Sequence, residues 1–182
     1  MKWNERITAE LYASDERARA LAGGLTPQQL NWKPSPEAWS IGQCLEHLCA
    51  STEIYLGPIA ESLEGQQPNA VDEVTLGWFS RKFIRDYIAP SNKRAKAPSK
   101  IAPGSSAVDA DILDRFLRGN ENTRRLMQAA SRFDVNRIRF RNPFIPLLRF
   151  TVGTGFEILS KHESRHLLQA ERVRDSSGFP EI

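Results

Sequence analysis

The chain has 182 residues, of which 40% are hydrophobic and 26% are charged. This composition is typical of one globular domain, covering residues 1–182. The net charge of +3 is small, and basic residues are mixed with acidic ones, which argues against a nucleic-acid partner. The N-terminal segment lacks the apolar stretch of a signal peptide, and no apolar run is long enough to span a membrane. We therefore expect a cytoplasmic protein with no membrane partner.

The first predicted helix covers residues 4–22. Apolar or small residues recur along it in steps of three and four, which marks one helical face. These residues are Ile7, Leu11, Ser14, Ala18, Leu21 and Leu25. The glycines at 23–24 predict its end. Thr26 and Pro27 then predict the N-cap and first residue of a turn or one-turn helix, and the two prolines in residues 31–39 predict an irregular connection.

The second predicted helix begins at Ser40, which forms a capping box with Gln43. Its apolar stripe contains Ile41, Leu45, Leu48, Thr52 and Tyr55, and Cys44, His47, Ser51 and Ile54 lie beside it. We expect Pro58 to bend or shorten the end of this helix. Cys44 and Cys49 point to different sides of the helix, so a disulfide between them is not expected, which fits a reducing compartment.

Residues 64–106 form a long connection between the second and third helices. Within it, residues 78–88 predict a short helix, and residues 89–106 are rich in Pro, Ser, Lys and Ala, which predicts a loop. Four basic residues in this loop allow an anion site, but a solvated loop is the preferred interpretation. They are Lys93, Arg94, Lys96 and Lys100.

The third predicted helix covers residues 106–130, with Ser106 as its cap. Its stripe contains Leu113, Phe116, Asn120, Thr123, Met127 and Ala130. Residues 137–141 alternate as a short strand does, and Pro143 and Pro146 limit its length. The basic ridge of this segment is expected to be solvated surface. It consists of Arg137, Arg139 and Arg141.

The fourth predicted helix covers residues 151–174. Its core-facing stripe contains Phe156, Leu159, His162, His166, Gln169 and Val173. Four amphipathic helices with one long crossover predict an all-α four-helix bundle. Bundles of this kind build metal sites from side chains that face the interior.

The three histidines of the chain form the strongest functional pattern. His162 and His166 lie one turn apart on the same helical face, and His47 lies on a different helix. Three imidazoles with an open fourth position are typical of a catalytic divalent-metal site. The alternative is three independent core histidines, but burying two unpartnered imidazoles side by side is costly, and a shared metal would satisfy both.

The segment 162–166 also matches the H-E-x-x-H pattern of zinc metalloproteases, in which the Glu is a general base. Only 16 residues follow His166, which leaves little room for a downstream third ligand and argues against such a protease. Glu163 is either a helper of a metal-bound water or a solvent-facing residue. Cys44, one turn before His47, is a possible fourth ligand that would close the site, or else a small core residue. Gln169 is either a hydrogen-bond partner of a ligand or a polar residue at the end of the bundle.

Two blocks of the sequence resemble the DinB-like (damage-inducible) superfamily. The front block is LTPQQLNWKP at 25–34 followed by WSIGQCLEHL at 39–48, and the second block is HESRHLLQAER at 162–172. The order and separation of the blocks match the family pattern, which has one His in the second helix and an H-x-x-x-H pair in the last. Many relatives carry Asp in place of Glu163.

This resemblance implies an up-down-down-up four-helix bundle that holds a divalent metal, zinc or nickel, through His47, His162 and His166. It also implies a possible homodimer. The superfamily includes metal-dependent transferases that use bacillithiol, mycothiol or a related low-molecular-weight thiol, and it includes proposed hydrolases.

Three functions stay open at this point. The first is a transferase that attaches a low-molecular-weight thiol to an electrophilic small molecule. The second is a metal-dependent hydrolase with Glu163 as its base. The third is a non-enzymatic stress-related binding module with a structural metal. We expect residues 64–106 and 142–150 to contribute to the substrate pocket.

Overall fold

The computed structural model describes residues 1–90, 97–104, 107–145 and 147–181. The described part of the chain is mainly α-helical. Its helices are α1 (Trp3–Ala22), α2 (Pro27–Asn31), α3 (Ile41–Leu63), α4 (Trp78–Phe83), α5 (Ile112–Ala130) and α6 (Val152–Arg174). A π-helical turn, Ile84–Ile88, continues α4. None of these helices is both long enough and apolar enough to cross a membrane.

The predicted starts of the helices are largely confirmed, because they depend on local capping. The Ser40 and Thr26 side chains accept hydrogen bonds from the backbone N–H groups three residues on, and each forms a capping box. Thr151 caps α6 in the same way, accepting from the Thr154 N–H. Pro58 lies inside α3, which continues to Leu63, so of the two predicted effects the shortening does not occur, and the bend stays a prediction.

The predicted start of α5 is wrong. The helix begins at Ile112 rather than near residue 106, and Ser106 itself lies outside the described residues. The Asn31 side chain accepts from the Val108 N–H at 2.7 Å and donates to the Val108 carbonyl at 3.0 Å. These two bonds occupy the backbone groups that Val108 would need in a helix. Ile112 therefore takes the buried place that the periodicity gave to Leu113, which is only half-buried.

A two-stranded antiparallel sheet precedes α6 and departs from an all-α fold. Strand β1 (Arg139–Arg141) pairs with β2 (Arg149–Thr151), and Phe140 faces Phe150 in the register. Only β1 was predicted, because β2 has three residues and leads directly into the cap of α6. Both phenylalanines are buried and the arginines of β1 are exposed, so the basic ridge is surface, as expected.

The core forms where α1 and α3 each pack against both α5 and α6. It contains two apolar clusters, one around Ile7, Tyr55 and Phe156 and the other around Leu45 and Leu167. On each long helix, buried polar residues lie between the positions that belong to these two clusters. They include Ser14 and Asp15 on α1, Ser51 and Thr52 on α3, Asn120 and Thr123 on α5, and Ser160 and Glu163 on α6. We call this set the polar layer.

Candidate metal centre

Helices α3 and α6 bring the three histidines together. His47 lies two turns into α3, and His162 and His166 lie one turn apart near the middle of α6. The ring centroids are 4.4 to 4.8 Å apart. One nitrogen from each ring can be chosen so that all three lie within 4.8 Å of one another. We call this arrangement the histidine cluster.

Hydrogen bonds outside the cluster fix the protonated nitrogen of two of the rings. His47 Nδ1 donates to the Ile101 carbonyl at 2.7 Å. His166 Nδ1 donates to Gln169 Oε1 at 2.9 Å. In the neutral ring, Nε2 therefore carries the lone pair and is left to act as the ligand atom. His47 Nε2 lies 3.1 Å from His162 Nε2, which is within hydrogen-bond distance, so these two ring nitrogens face each other inside the cluster.

All three imidazoles are held in the neutral form that a metal requires. Burial lowers the pKa of His47. Burial, together with the nearby His47, lowers the pKa of His166 to about 3. Burial and the two neighbouring rings hold the pKa of His162 well below its ordinary value. The cluster therefore offers three neutral nitrogen ligands, a donor set that suits zinc, nickel and related divalent ions.

The possible fourth ligand, Cys44, is not brought to this cluster. Within the described residues, the group that is close enough to share an ion is His47, His162 and His166. Cys44 is fully buried in the second apolar cluster with Leu45 and Leu167, and burial raises the pKa of its thiol. Cys44 and Cys49 are both free, as expected.

The histidine cluster opens into a cavity of about 1100 Å³. Trp39 forms part of the wall, and its ring stacks on His166 at 5.5 Å between centroids. Both segments expected to shape a pocket contribute to it, through Phe79 and Ile101 of the long connection and through Phe144. Three of the basic residues considered for an anion site, Lys93, Arg94 and Lys96, lie outside the described residues.

Glu163 is buried rather than solvent-facing, and its partners lie on α5 and α1. Asn120 Nδ2 donates to its Oε2 at 3.2 Å, and Ser14 also hydrogen-bonds to it. Burial raises the pKa of this carboxyl to about 8. Glu163 is not among the described residues that line the cavity, so the geometry does not place it beside a reacting group there.

Gln169 contacts His166 through the 2.9 Å hydrogen bond, and its role as the hydrogen-bond partner of a ligand stays a prediction. The sequence analysis missed the Ile101 carbonyl and Trp39. A backbone acceptor 54 residues away from His47 leaves no local signal. Trp39 had one, because a large aromatic residue directly before a helix cap often packs back onto the first turns of that helix.

Comparison with known proteins agrees with these features. Residues 10–170 match the family model described as the DinB superfamily. The chain is also 24% identical over 153 residues to the uncharacterized protein YuaE of Bacillus subtilis (strain 168), which covers 84% of this chain and 87% of that protein. No solved structure gives a significant match. The match spans both histidine-bearing helices up to residue 170, and the chain belongs to the DinB superfamily.

Proposed function

We propose that the protein is a metal-dependent transferase that attaches a low-molecular-weight thiol to electrophilic small molecules. The observation that carries this proposal is the convergence of three imidazoles in the wall of a large cavity. Three protein ligands leave a position free for a small molecule, as catalytic sites do. His47, His162 and His166 would hold a divalent ion, zinc or nickel.

The chemistry follows from the ion and from the surroundings of the histidines. When bound, the ion would favour the deprotonated form of a thiol, whose sulfur would bond to an electrophilic carbon as the leaving group departs with its bonding electrons. The Ile101 carbonyl and Gln169 hold the protons on Nδ1 of His47 and His166. Trp39, stacked on His166, limits the access of water to that side of the cluster.

The remaining details of this proposal come from the sequence. The family resemblance implies an up-down-down-up order of the four long helices and a homodimer. The length and composition imply a single domain over residues 1–182, and the N-terminal segment and the cysteines favour a cytoplasmic protein. Two buried free cysteines suit a reducing compartment. The hydrolase alternative needs Glu163 beside the reacting water, and its hydrogen bonds to Asn120 of α5 and Ser14 of α1 give that role no support.

The test combines metal analysis with a transfer assay. Tag-free wild type is expected to contain about one divalent ion per chain and to accelerate the reaction of a small thiol with chlorodinitrobenzene or monobromobimane. His166→Ala is expected to lose both the ion and the acceleration, because it removes one of three ligands. Ser164→Ala is the matched control, since this residue lies on the same helix turn but lines a separate small cavity.

Two results would contradict the proposal in different ways. A wild type that holds no ion after reconstitution would make the histidines core residues. A metal-loaded wild type that accelerates none of a panel of biological thiols with either electrophile would leave the metal centre in place and remove the transferase.

A further inference from the structure

Three aromatic side chains form a row along one wall of the cavity. Phe79, Phe83 and Tyr87 are spaced four residues apart on α4 and the π-helical turn that continues it, and all three line the cavity. The Phe79 and Phe83 ring centroids are 6.3 Å apart, and those of Phe83 and Tyr87 are 5.5 Å apart. Phe83 is anchored on Phe150 at 5.1 Å. We call these three residues the aromatic row.

The ends of the aromatic row are unusually exposed for large apolar groups. Phe79 is 49% exposed and Tyr87 is 62% exposed. Both face a concave cavity with an apolar floor that includes Ile158 and Leu159. Exposed apolar side chains that line a cavity are typical of a ligand site, because a bound molecule buries the surface that water otherwise covers.

The charge of the cavity wall favours an anion. Among the described residues that line it, Lys82, Arg165 and Arg172 are basic and Glu37 is acidic. Lys82 is paired with Asp86 at 2.6 Å, and Arg165 donates to the Ala89 carbonyl at 2.9 Å. Asp86 therefore neutralises Lys82, and the positive charge that favours an anion comes from Arg165 and Arg172. Arg165 lies on α6 between two of the histidines, so positive charge lies next to the histidine cluster.

We infer that the electrophilic substrate is a small molecule with a flat aromatic body and an anionic group. The aromatic body would lie against the aromatic row, and the anionic group would lie toward Arg165 and Arg172. A cavity of about 1100 Å³ slightly exceeds the usual size of a site for one drug-sized ligand, about 1000 Å³ at most, which leaves room for a thiol beside this substrate. That the bound molecule is a substrate rests on the proposed function. Its binding to the aromatic row does not require the metal.

The test uses two fluorescent probes that share an aromatic framework. Anilinonaphthalene sulfonate carries an anionic group, and N-phenylnaphthylamine is its neutral counterpart. Each is titrated into metal-loaded wild type, into the chelated protein, and into the variants Phe79→Ala and Tyr87→Ala. The matched control is Trp78→Ala, because Trp78 is next to Phe79 and 71% exposed but is not among the described residues that line the cavity.

Both lining variants are expected to weaken the binding of both probes about five- to tenfold, the loss of one aromatic contact, while Trp78→Ala leaves the affinities unchanged. Wild type is expected to bind the anionic probe more tightly than the neutral one. Chelation should leave the neutral probe's affinity within twofold.

An equal loss in Trp78→Ala, or none in Phe79→Ala and Tyr87→Ala, would overturn the inference. Equal affinities of wild type for the two probes would overturn the inference that the substrate carries an anionic group. Absence of a bound ion in the metal analysis would contradict the proposed function. The probe affinities would still test whether the aromatic row binds an aromatic anion.

Discussion

The two sides of helix α6 place buried ionisable groups in different surroundings. On the side that faces α3, the nitrogens of His47, His162 and His166 point toward one another and toward a cavity. On the side that faces α1 and α5, Glu163 belongs to a network in which Asn120 Nδ2 bridges Glu163 Oε2 and Asp15 Oδ1 at 3.2 and 2.7 Å. Arg124 donates to the same aspartate at 2.8 Å. Glu163, Asn120 and Asp15 belong to the polar layer between the two apolar clusters, and the histidine cluster adjoins it.

The difference lies in where each side finds its hydrogen-bond partners. On the carboxylate side, Asn120 and Arg124 bring donors and a positive charge from α5. Among the described residues, Glu163 Oε1 is the buried side-chain oxygen that stays without a hydrogen-bond partner. The histidine side gathers lone pairs without a cation from the protein at their centre, which is the arrangement that an external ion completes. Buried ionisable residues on neighbouring positions of one helix therefore divide into a structural set and a candidate functional set. Four predictions test this division.

The largest effect is expected on the carboxylate side. Asp15→Ala removes a carboxylate whose side chain is only 2% exposed and leaves the largely buried Arg124 without this partner. Breaking such a pair from one end costs about 3–5 kcal/mol, measured as the free energy of unfolding in urea. Glu16→Ala, at the next, exposed position, is the control and should cost far less. If the metal content of folded Asp15→Ala falls with its stability, the two sides are not independent.

The next effect concerns the histidine side. A divalent ion that binds only the folded protein should stabilise it by about 2.7 kcal/mol at a hundred times its dissociation constant. Adding zinc should therefore raise the Tm of wild type and leave that of His162→Ala unchanged.

The same experiment separates a catalytic from a structural metal. Because none of the three histidines belongs to either apolar cluster, chelation should lower the Tm while the helical circular dichroism signal persists. Collapse of that signal on chelation would indicate a structural metal instead.

A smaller effect is expected at the residue that orients one ligand. Gln169→Ala removes the acceptor for His166 Nδ1, and loss of such a partner typically weakens metal affinity by about ten- to a hundredfold. We expect the lower end, because Gln169 is only half-buried and water can replace it. Gln169→Glu keeps an acceptor and should retain most of the affinity, as measured by competition with a chromogenic chelator. Equal affinities for wild type and Gln169→Ala would show that His166 needs no partner.

The sequence predicts one side of this comparison better than the other. The spacing of His162 and His166 on a helix and the Ser40 cap ahead of His47 are local signals, and they predicted which rings would meet. The direction of Glu163 was missed because helical periodicity gives an angle around the axis but does not identify the neighbouring helix. Its partner Asn120 lies 43 residues away. The start of α5 was missed for the same reason, since Asn31 holds Val108 from 77 residues away.

The smallest effect is a pH dependence at the solvent-facing end of the α1–α6 contact. Burial raises the pKa of Glu10, but hydrogen bonds from Ser160, Lys161 and Arg6 outweigh it and leave the pKa below its ordinary value. A carboxyl with a lowered folded-state pKa stabilises the protein above its unfolded pKa, and this contribution is lost as the pH falls through the folded value.

Glu10→Gln should therefore be less stable than wild type at pH 7, by no more than about 1 kcal/mol because the side chain stays 30% exposed. The two proteins should converge in stability as the pH is lowered through the acid range, when wild type is protonated too. Urea unfolding of the chelated proteins across this range measures the difference, with Glu61→Gln on the exposed face of α3 as the control. A difference independent of pH would mean that Glu10 acts through packing rather than through its charge.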